Sequence, residues 1–313
     1  MAFQGIFALV YRIEQATILG FLESCKFSSG RPVHSLSRTN DKVKIVEHYD
    51  VVSPYYHALW GEHLHHGYWI TGDESKEIAQ VQLIEHLADC VDIKYGSEIL
   101  DIGCGMGATS LYLARHFHAS SIGITISQVQ VDMANKAAVG TGLNVKFLLM
   151  DAEEMKFEGR KFDLLWSVES ISHYHDLPKF FATATRLLKP GGTFALIDWF
   201  KKENLTPRQT RKYIEPIDQG MFVELKVMAE YESLLSANGL EITHREVLNK
   251  NCAKTWDISV EIIRHKSFWD LALQHGPEFI KNLKAFQAMR AGFATGNFVY
   301  GLLVAKAPDS FGK

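Results

Sequence analysis

The chain has 313 residues, of which 47% are hydrophobic and 22% charged, and its formal net charge is −3 at pH 7. This composition is typical of a globular protein and excludes a disordered, collagen-like or coiled-coil chain. The slightly acidic balance argues against a nucleic-acid-binding protein, which usually carries a basic surface. The four cysteines (Cys25, Cys90, Cys104 and Cys252) form no C-x-x-C pair, so we expect free thiols in a reducing compartment.

Residues 3–22 form an unusually apolar segment that is interrupted by Arg12 and Glu14. Two charges make a membrane-spanning helix costly, by roughly 2.5–3.5 kcal/mol each, and no basic region or cleavage site indicates a signal peptide. We expect a helix that packs on the protein or on a second subunit in a homodimer. A membrane-surface or substrate-entrance helix is the alternative. The predicted location is cytoplasmic, with membrane association through this segment left open.

Composition and periodicity divide the chain into four predicted parts. Residues 1–40 hold the N-terminal helix and a Ser-rich linker, and residues 41–96 form a helical lead-in or cap. Residues 97–200 form the core that binds the ligand. Residues 201–313 combine a helical lid with the last strands of the sheet.

From residue 97, short apolar runs alternate with helical segments. Strands are predicted at Glu98–Ile102, Ser121–Ile126, Val145–Met150, Phe162–Val168, Thr193–Trp199, Gly239–Arg245 and Phe298–Ala305, with a turn at Lys189–Gly192. This alternation predicts an α/β protein with a doubly wound, mainly parallel seven-stranded sheet. Its ligand crevice should lie at the carboxyl ends of the strands.

A glycine loop, Asp101-Ile-Gly-Cys-Gly-Met-Gly107, follows the first of these strands and precedes a helix. Such a loop lets the backbone approach a ligand closely, and Gly103, Gly105 and Ala108 also satisfy a dinucleotide-binding pattern. A dinucleotide site expects an acid after the second strand, where the chain reads Ile-Thr-Ile-Ser. Asp101 could instead reach the amino-acid end of a zwitterionic ligand, and Asp151-Ala-Glu153 could accept from an adenine amino group.

These motifs, together with Phe162-Asp163 and Leu188-Lys-Pro-Gly-Gly192, resemble those of class I S-adenosylmethionine-dependent methyltransferases. Tyr49-Asp50, the stretch from Trp60 to Trp69, and Gly123-Ile-Thr-Ile-Ser127 with Gln130 are similar to the gamma-tocopherol methyltransferase group. Sterol C-methyltransferases and alkaloid N-methyltransferases are relatives of that group. The likeness covers roughly residues 45–307.

The resemblance implies S-adenosyl-L-methionine as cofactor, S-adenosyl-L-homocysteine as its product, and a Rossmann-like fold. The residues that it implies for cofactor binding are Tyr49, Asp101, Gly103, Gly105, Gly107, Thr125, Gln130, Asp151, Ala152 and Glu153. Thr125 and Gln130 would take over the ribose contacts of the usual acid. The implied activity is methyl transfer to a carbon or nitrogen of a small lipophilic acceptor from specialised metabolism, with oxygen as the less favoured acceptor atom.

One departure from the group concerns the residues after the fourth strand. The group commonly has an acid followed by His, and here Ser172 precedes His173. This puts in doubt chemistry that needs an acid there, such as handling a carbocation after alkene methylation. Glu169 could compensate only if its side chain faces the crevice.

Several His and aromatic residues are candidates for the chemistry. His173 is the candidate general base, and Tyr68 with Tyr49 could surround the sulfonium, because aromatic faces favour cations. His66 is the best candidate among His63, His65 and His66 for a contact to donor or acceptor, and no metal site is predicted. The candidate substrate contacts are Trp69, His175, Met221 and Trp256.

Two other functions stay open at this point. The fold could use bound S-adenosylmethionine for a non-methylating reaction such as a cyclisation, since a fold does not determine a reaction. The chain could also be a catalytically silent partner of another enzyme.

Overall fold

Seven strands, most of them followed by a helical segment, build one sheet. The computed structural model describes residues 42, 43, 45, 46, 49, 50, 53, 57, 60–159, 161–263 and 277–311. The strands are β1 (Glu98–Ile102), β2 (Ser120–Thr125), β3 (Val145–Leu149), β4 (Phe162–Val168), β5 (Leu188–Lys201), β6 (Glu241–Val247) and β7 (Phe298–Lys306). The expected N-terminal helix at residues 3–22 lies outside the described residues.

The strand order β3-β2-β1-β4-β5-β7-β6 is that of a doubly wound sheet. Strands β1 to β5 are parallel, and β7 inserts antiparallel between β5 and β6. The order reverses between β1 and β4, where parallel sheets open a ligand crevice at their carboxyl ends. The predicted fold class is confirmed.

Ten α-helices accompany the strands in the part of the chain from residue 60 onward that the structure describes. They are α1 (Lys76–Asp89), α2 (Ala108–Phe117), α3 (Gln128–Ala138), α4 (Leu177–Thr185), α5 (Pro207–Gln209), α6 (Glu215–Met221), α7 (Met228–Ala237), α8 (Asn249–Cys252), α9 (Lys254–Ile263) and α10 (Pro277–Ala294). A π-helical turn, Thr210–Ile214, joins α5 to α6. The described residues between 42 and 57 are also helical, as the predicted lead-in requires.

The core lies on both faces of the sheet, because successive side chains of a strand point to opposite faces. In β4, Leu164 and Trp166 belong to one buried cluster and Leu165 to the other. All three are at most 3% exposed. The apolar run that predicted β4 is therefore buried from both sides, as in other helix-covered parallel sheets.

The predicted turn at Lys189–Gly192 is wrong. These residues belong to β5, which begins at Leu188 and pairs with Phe162 of β4 before the register shifts to Leu164 and Thr193. The Pro-Gly-Gly sequence produces an irregularity at the start of a strand rather than a separate turn, because the flanking residues still find ladder partners.

Gly107, the last glycine of the loop, precedes α2 with a φ of +82°. A Cβ there would lie 2.6 Å from Phe147 and 2.7 Å from Ala134. At Gly140, which has a φ of +74°, a Cβ would meet nothing within 4 Å. Gly107 is therefore required by the packing of α2 on β3 as well as by its backbone conformation.

We predict that Gly107→Ala lowers the free energy of unfolding by about 1–3 kcal/mol more than Gly140→Ala does. Both variants suffer the left-handed backbone strain, and only the first adds a steric overlap. Urea unfolding of the two variants measures the difference. Equal losses would show that Phe147 and Ala134 move aside without cost.

Candidate active site

A cavity lies at the carboxyl ends of the parallel strands, where the sequence predicted the crevice. It is lined by the glycine loop, the ends of β2 to β5, part of the 42–57 lead-in, the loop from Trp60 to His66, and side chains of α6, α9 and α10. The predicted residues that line it are Tyr49, His66, Asp101, Gly103, Gly105, Thr125, Gln130, Asp151, Ala152, Glu153, His173, Met221 and Trp256. Gly107, Tyr68, Trp69 and His175 are not part of this lining.

The three glycines of the loop have different surroundings. A Cβ at Gly103 would come within 2.4 Å of two side-chain atoms of Ser170, so this glycine makes room for the residue after β4. Gly105 has a φ of +51°, and a Cβ there would meet only Leu64, at 3.7 Å. Gly105 is thus the position at which the loop leaves room for a ligand against its backbone.

Asp101 lies beneath this loop at the end of β1. Its side chain is 3% exposed and its Oδ2 accepts a hydrogen bond of 2.6 Å from the Ser110 hydroxyl. Burial raises the pKa of Asp101 to about 7, and the Ser110 hydrogen bond opposes this rise. A cationic group in the cavity would favour the ionised carboxylate.

Thr125 and Gln130 form a polar chain at the end of β2. The Thr125 hydroxyl donates to Gln130 Oε1 at 2.6 Å, and Gln130 Nε2 donates to Ser53 of the lead-in at 3.1 Å. Ser127 donates to Asp50 at 2.5 Å. The predicted ribose contacts are therefore together, and they also tie the lead-in to the sheet.

The acidic residues after β3 have partners within the protein. Lys42 of the lead-in contacts Asp151 at 2.5 Å and Glu153 at 2.8 Å. Glu153 Oε1 also accepts from the backbone N–H groups of His175 and Asp176, at 3.1 and 2.7 Å. Glu153 therefore holds the chain segment that enters α4. The Asp151 carboxylate has further lone pairs, which suit a hydrogen bond from an adenine amino group.

His173 ends the 3₁₀ turn that follows β4 and contacts the lead-in. Its Nδ1 lies 3.3 Å from the Phe222 carbonyl oxygen, and its Nε2 lies 3.2 Å from the Tyr49 hydroxyl. A carbonyl only accepts, so Nδ1 carries the proton and Nε2 accepts from Tyr49. Burial lowers the pKa of His173 to about 4, which makes the ring neutral at pH 7.

His66 is held by Glu169, the residue that directly follows β4. Glu169 Oε1 accepts from the His66 backbone N–H at 2.7 Å, from His66 Nδ1 at 2.8 Å and from the Tyr300 hydroxyl at 2.6 Å. Burial is the largest single influence and opposes ionisation, but the contacts with His66, His65 and Tyr300 together outweigh it, so the pKa of Glu169 is lowered. Glu169 lines the cavity, and its Oε1 accepts the hydrogen bonds that position His66.

The structure does not bring Tyr68 and Trp69 to the cavity. The Tyr68 ring stacks on His86 with centroids 4.3 Å apart, and Trp69 Nε1 donates to the Glu74 carbonyl oxygen. The backbone N–H of Trp69 donates to Asn251, so this end of the loop is fixed against α8. These contacts hold both side chains outside the cavity lining, a placement that a loop sequence without periodicity does not indicate.

Lys42 and Tyr300 are site residues that sequence reasoning did not select. Tyr300 is fully buried in β7, and its ring stacks on His66 with centroids 4.4 Å apart. Lys42 lines the cavity, whereas Tyr300 acts from behind it through His66 and Glu169, and both placements depend on the tertiary fold. Within the described residues, no group of three or more His, Cys, Asp or Glu side chains is placed to hold a metal ion.

The sheet order and the glycine-loop cavity define a methyltransferase of the Rossmann-like class. The chain belongs to the mycolic acid cyclopropane synthetase family, whose model matches residues 36–292. It is an S-adenosylmethionine-dependent methyltransferase. The space against Gly105 and the buried Asp101 carboxylate fit this cofactor.

Two curated relatives and one solved structure show the extent of the likeness. The 27-O-demethylrifamycin SV methyltransferase of Amycolatopsis mediterranei (strain S699) is 31% identical, over 83% of this chain and 96% of its own. The chloroplastic tocopherol O-methyltransferase of Arabidopsis thaliana is 30% identical, over 84% and 82%. The [4+2]-cyclase SpnF has a TM-score of 0.75 at 26% identity, over 90% of this chain and 99% of its own.

We predict that affinity for S-adenosylhomocysteine falls about tenfold between pH 8 and pH 6. The pKa of Asp101 is raised to about 7 by burial, so lower pH protonates the carboxylate that we expect to contact the ligand's amino group. Calorimetry over this pH range measures the effect.

Asp101→Asn should bind more weakly at pH 8 and lose the pH dependence. Ser110→Ala is the matched control, because it removes only the hydrogen bond to Asp101 and keeps the titrating group. A pH dependence that persists unchanged in Asp101→Asn would contradict this assignment.

Proposed function

We propose that the protein methylates a lipophilic small molecule at an atom that must lose a proton, and that His173 accepts this proton. The observation that supports this proposal is the His173 ring, which is a neutral imidazole with a fixed tautomer and lines the cavity. The acceptor atom is an electron-rich ring carbon, a nitrogen or a hydroxyl oxygen. The names of the two O-methyltransferase relatives give oxygen more weight than the sequence alone does.

The wall of the cavity opposite the glycine loop supports a lipophilic acceptor. It consists of large apolar side chains from β4, β5 and the C-terminal helices: Trp166, Trp199, Met221, Trp256, Phe286 and Met289. Binding sites lined in this way bury most of an apolar ligand and leave orientation to a few polar groups. Rifamycin and tocopherol, which appear in the relatives' names, agree with this class.

His173 can take a proton because its ring is neutral. The Phe222 carbonyl oxygen orients the ring through Nδ1. The single lone pair of Nε2 accepts from the Tyr49 hydroxyl, so the proposal requires the acceptor to displace this hydroxyl or to pass its proton through it. A pKa of about 4 makes it a weak base. That basicity suffices for a nucleophile that becomes strongly acidic as it is methylated. When bound, S-adenosylmethionine supplies the electrophilic methyl group.

The residues around Ser172 do not favour alkene methylation. Ser172 replaces an acid, and its backbone N–H donates to Asp198 at 2.8 Å. Glu169 lines the cavity, but the oxygen that His66 and Tyr300 share leaves it a positioning role. A carbocation formed in this cavity would therefore meet a carboxylate that already holds His66 and Tyr300, which favours an acceptor that simply loses a proton.

We predict that His173→Asn lowers single-turnover methyl transfer roughly 100- to 10,000-fold and leaves the affinity for S-adenosylhomocysteine unchanged. Rapid-quench assays with methyl-labelled cofactor and calorimetry measure the two quantities. His116→Asn is the matched control, because His116 is an exposed residue near the end of α2. Normal turnover of His173→Asn would remove it as the base.

A cyclisation that leaves the methyl group on the cofactor is the second candidate function. The structural likeness to the [4+2]-cyclase SpnF favours it. Mass spectrometry of the product separates the two candidates: methyl transfer adds one methyl group, and cyclisation gives an isomer of unchanged mass. An intact glycine loop and cavity speak against a catalytically silent partner protein.

A cytoplasmic location, and a contact of residues 3–22 with a membrane surface or a second subunit, are proposals that rest on the sequence alone. Among the described residues, the structure contains no helix with both the length and the apolarity to cross a bilayer.

A further inference from the structure

We propose that the aromatic wall contains a hydroxyl-binding subsite formed by His66, Trp199 and Trp256. This subsite anchors an oxygen of the lipophilic acceptor away from the atom that is methylated. The inference rests on the proposed function for its acceptor and adds to it the chemical class of that acceptor: an oxygenated lipophile rather than a hydrocarbon chain.

Buried polar atoms without a hydrogen-bond partner among the described residues lie along this wall and beside it: Trp166 Nε1, Trp199 Nε1, Trp256 Nε1 and the neighbouring His66 Nε2. The proposed subsite uses those of His66, Trp199 and Trp256. The side chains are 3%, 7% and 4% exposed. A buried polar group left without a partner destabilises the folded protein. Three of them beside one cavity indicate that something else satisfies them.

The three residues lie in one cluster of rings. The centroid of His66 is 4.9 Å from that of Trp256 and 6.2 Å from that of Trp199. All three residues line the cavity that also contains His173. The centroid of His173 lies 6.4 Å from that of Trp199. The subsite is therefore close to the candidate base and separate from it.

The orientation of His66 is fixed from behind. Glu169 Oε1 accepts from its Nδ1 at 2.8 Å, and Tyr300 both donates to the same oxygen and stacks on the ring. Nδ1 therefore carries a proton. Glu169 itself has a φ of +53°, which is rare for a residue other than glycine. Such backbone strain persists only where the surroundings enforce it and is commonly found at functional sites.

The set of unpartnered atoms selects the ligand group. In the neutral ring, His66 Nε2 accepts, whereas the two indole N–H groups only donate. A hydroxyl group serves both kinds, because it donates one hydrogen bond and accepts two. A carbonyl would leave Nε2 without a donor, and a hydrocarbon would leave all three atoms unpartnered.

The test uses protein saturated with S-adenosylhomocysteine and two probes, 4-hexylphenol and hexylbenzene, which differ by one hydroxyl. The measured quantity is the ratio of their dissociation constants, obtained by calorimetry. In His66→Asn and in Trp256→Phe, we expect the preference for the phenol to fall about tenfold, the value of one hydrogen bond of about 1.4 kcal/mol. His66→Asn keeps an N–H donor for Glu169. Trp256→Phe removes the indole N–H and keeps an aromatic ring.

Phe286→Leu is the matched control. Phe286 lines the same cavity and packs near Trp256 with ring centroids 6.2 Å apart, but has no polar atom. This variant should weaken both probes alike and leave their ratio unchanged.

The proposal is overturned if the ratio is the same in wild type, His66→Asn and Trp256→Phe, since water alone would then satisfy the three atoms. It is equally overturned if the wild-type protein fails to bind 4-hexylphenol. If the phenol preference depends on His66 but the protein transfers no methyl group, the subsite stands and the proposed reaction is refuted. If the protein transfers a methyl group but the ratio is the same in all variants, the proposed reaction stands and the subsite is refuted.

Discussion

One carboxylate oxygen, Oε1 of Glu169, joins three parts of the chain over the cavity. It accepts hydrogen bonds from the backbone and ring of His66, in the loop before α1, and from Tyr300 in β7. A buried charge is costly unless charged and hydrogen-bonding groups compensate it. The position of the His66 loop beside the aromatic wall therefore depends on the hydrogen bonds that His66 and Tyr300 donate to this oxygen.

The cavity has two halves, which are lined by the ends of different strands. The ends of β1, β2 and β3 supply small or polar residues suited to the cofactor, such as Gly105, Asp101 and Gln130. The ends of β4 and β5 and the helices that follow supply Trp199, Trp256 and their neighbours. His173 lies between the halves because it follows β4, next to the point where the strand order reverses. A base at this position can serve an acceptor bound against the aromatic wall.

The sequence predicted the first four strands to within a residue or two, because short apolar runs with β-branched residues have few alternatives. It also predicted most of the residues that line the cavity at the ends of β1 to β3, where short motifs follow strands whose ends must meet. It failed for Tyr68 and Trp69, since the direction of a loop side chain depends on tertiary contacts such as the one with His86. The roles of Glu169 and Tyr300 depend on a left-handed backbone and a distant strand, and neither has a local signal.

The most direct test of this account is a crystal structure of the protein with S-adenosylhomocysteine. The account predicts the adenine beside Asp151, the ribose beside Gln130, and the amino-acid end above Asp101. The sulfur should then face the space between His173 and the aromatic wall. A ligand whose sulfur points away from His173 would contradict the assignment of the base, and one bound away from Gly105 would contradict the site itself.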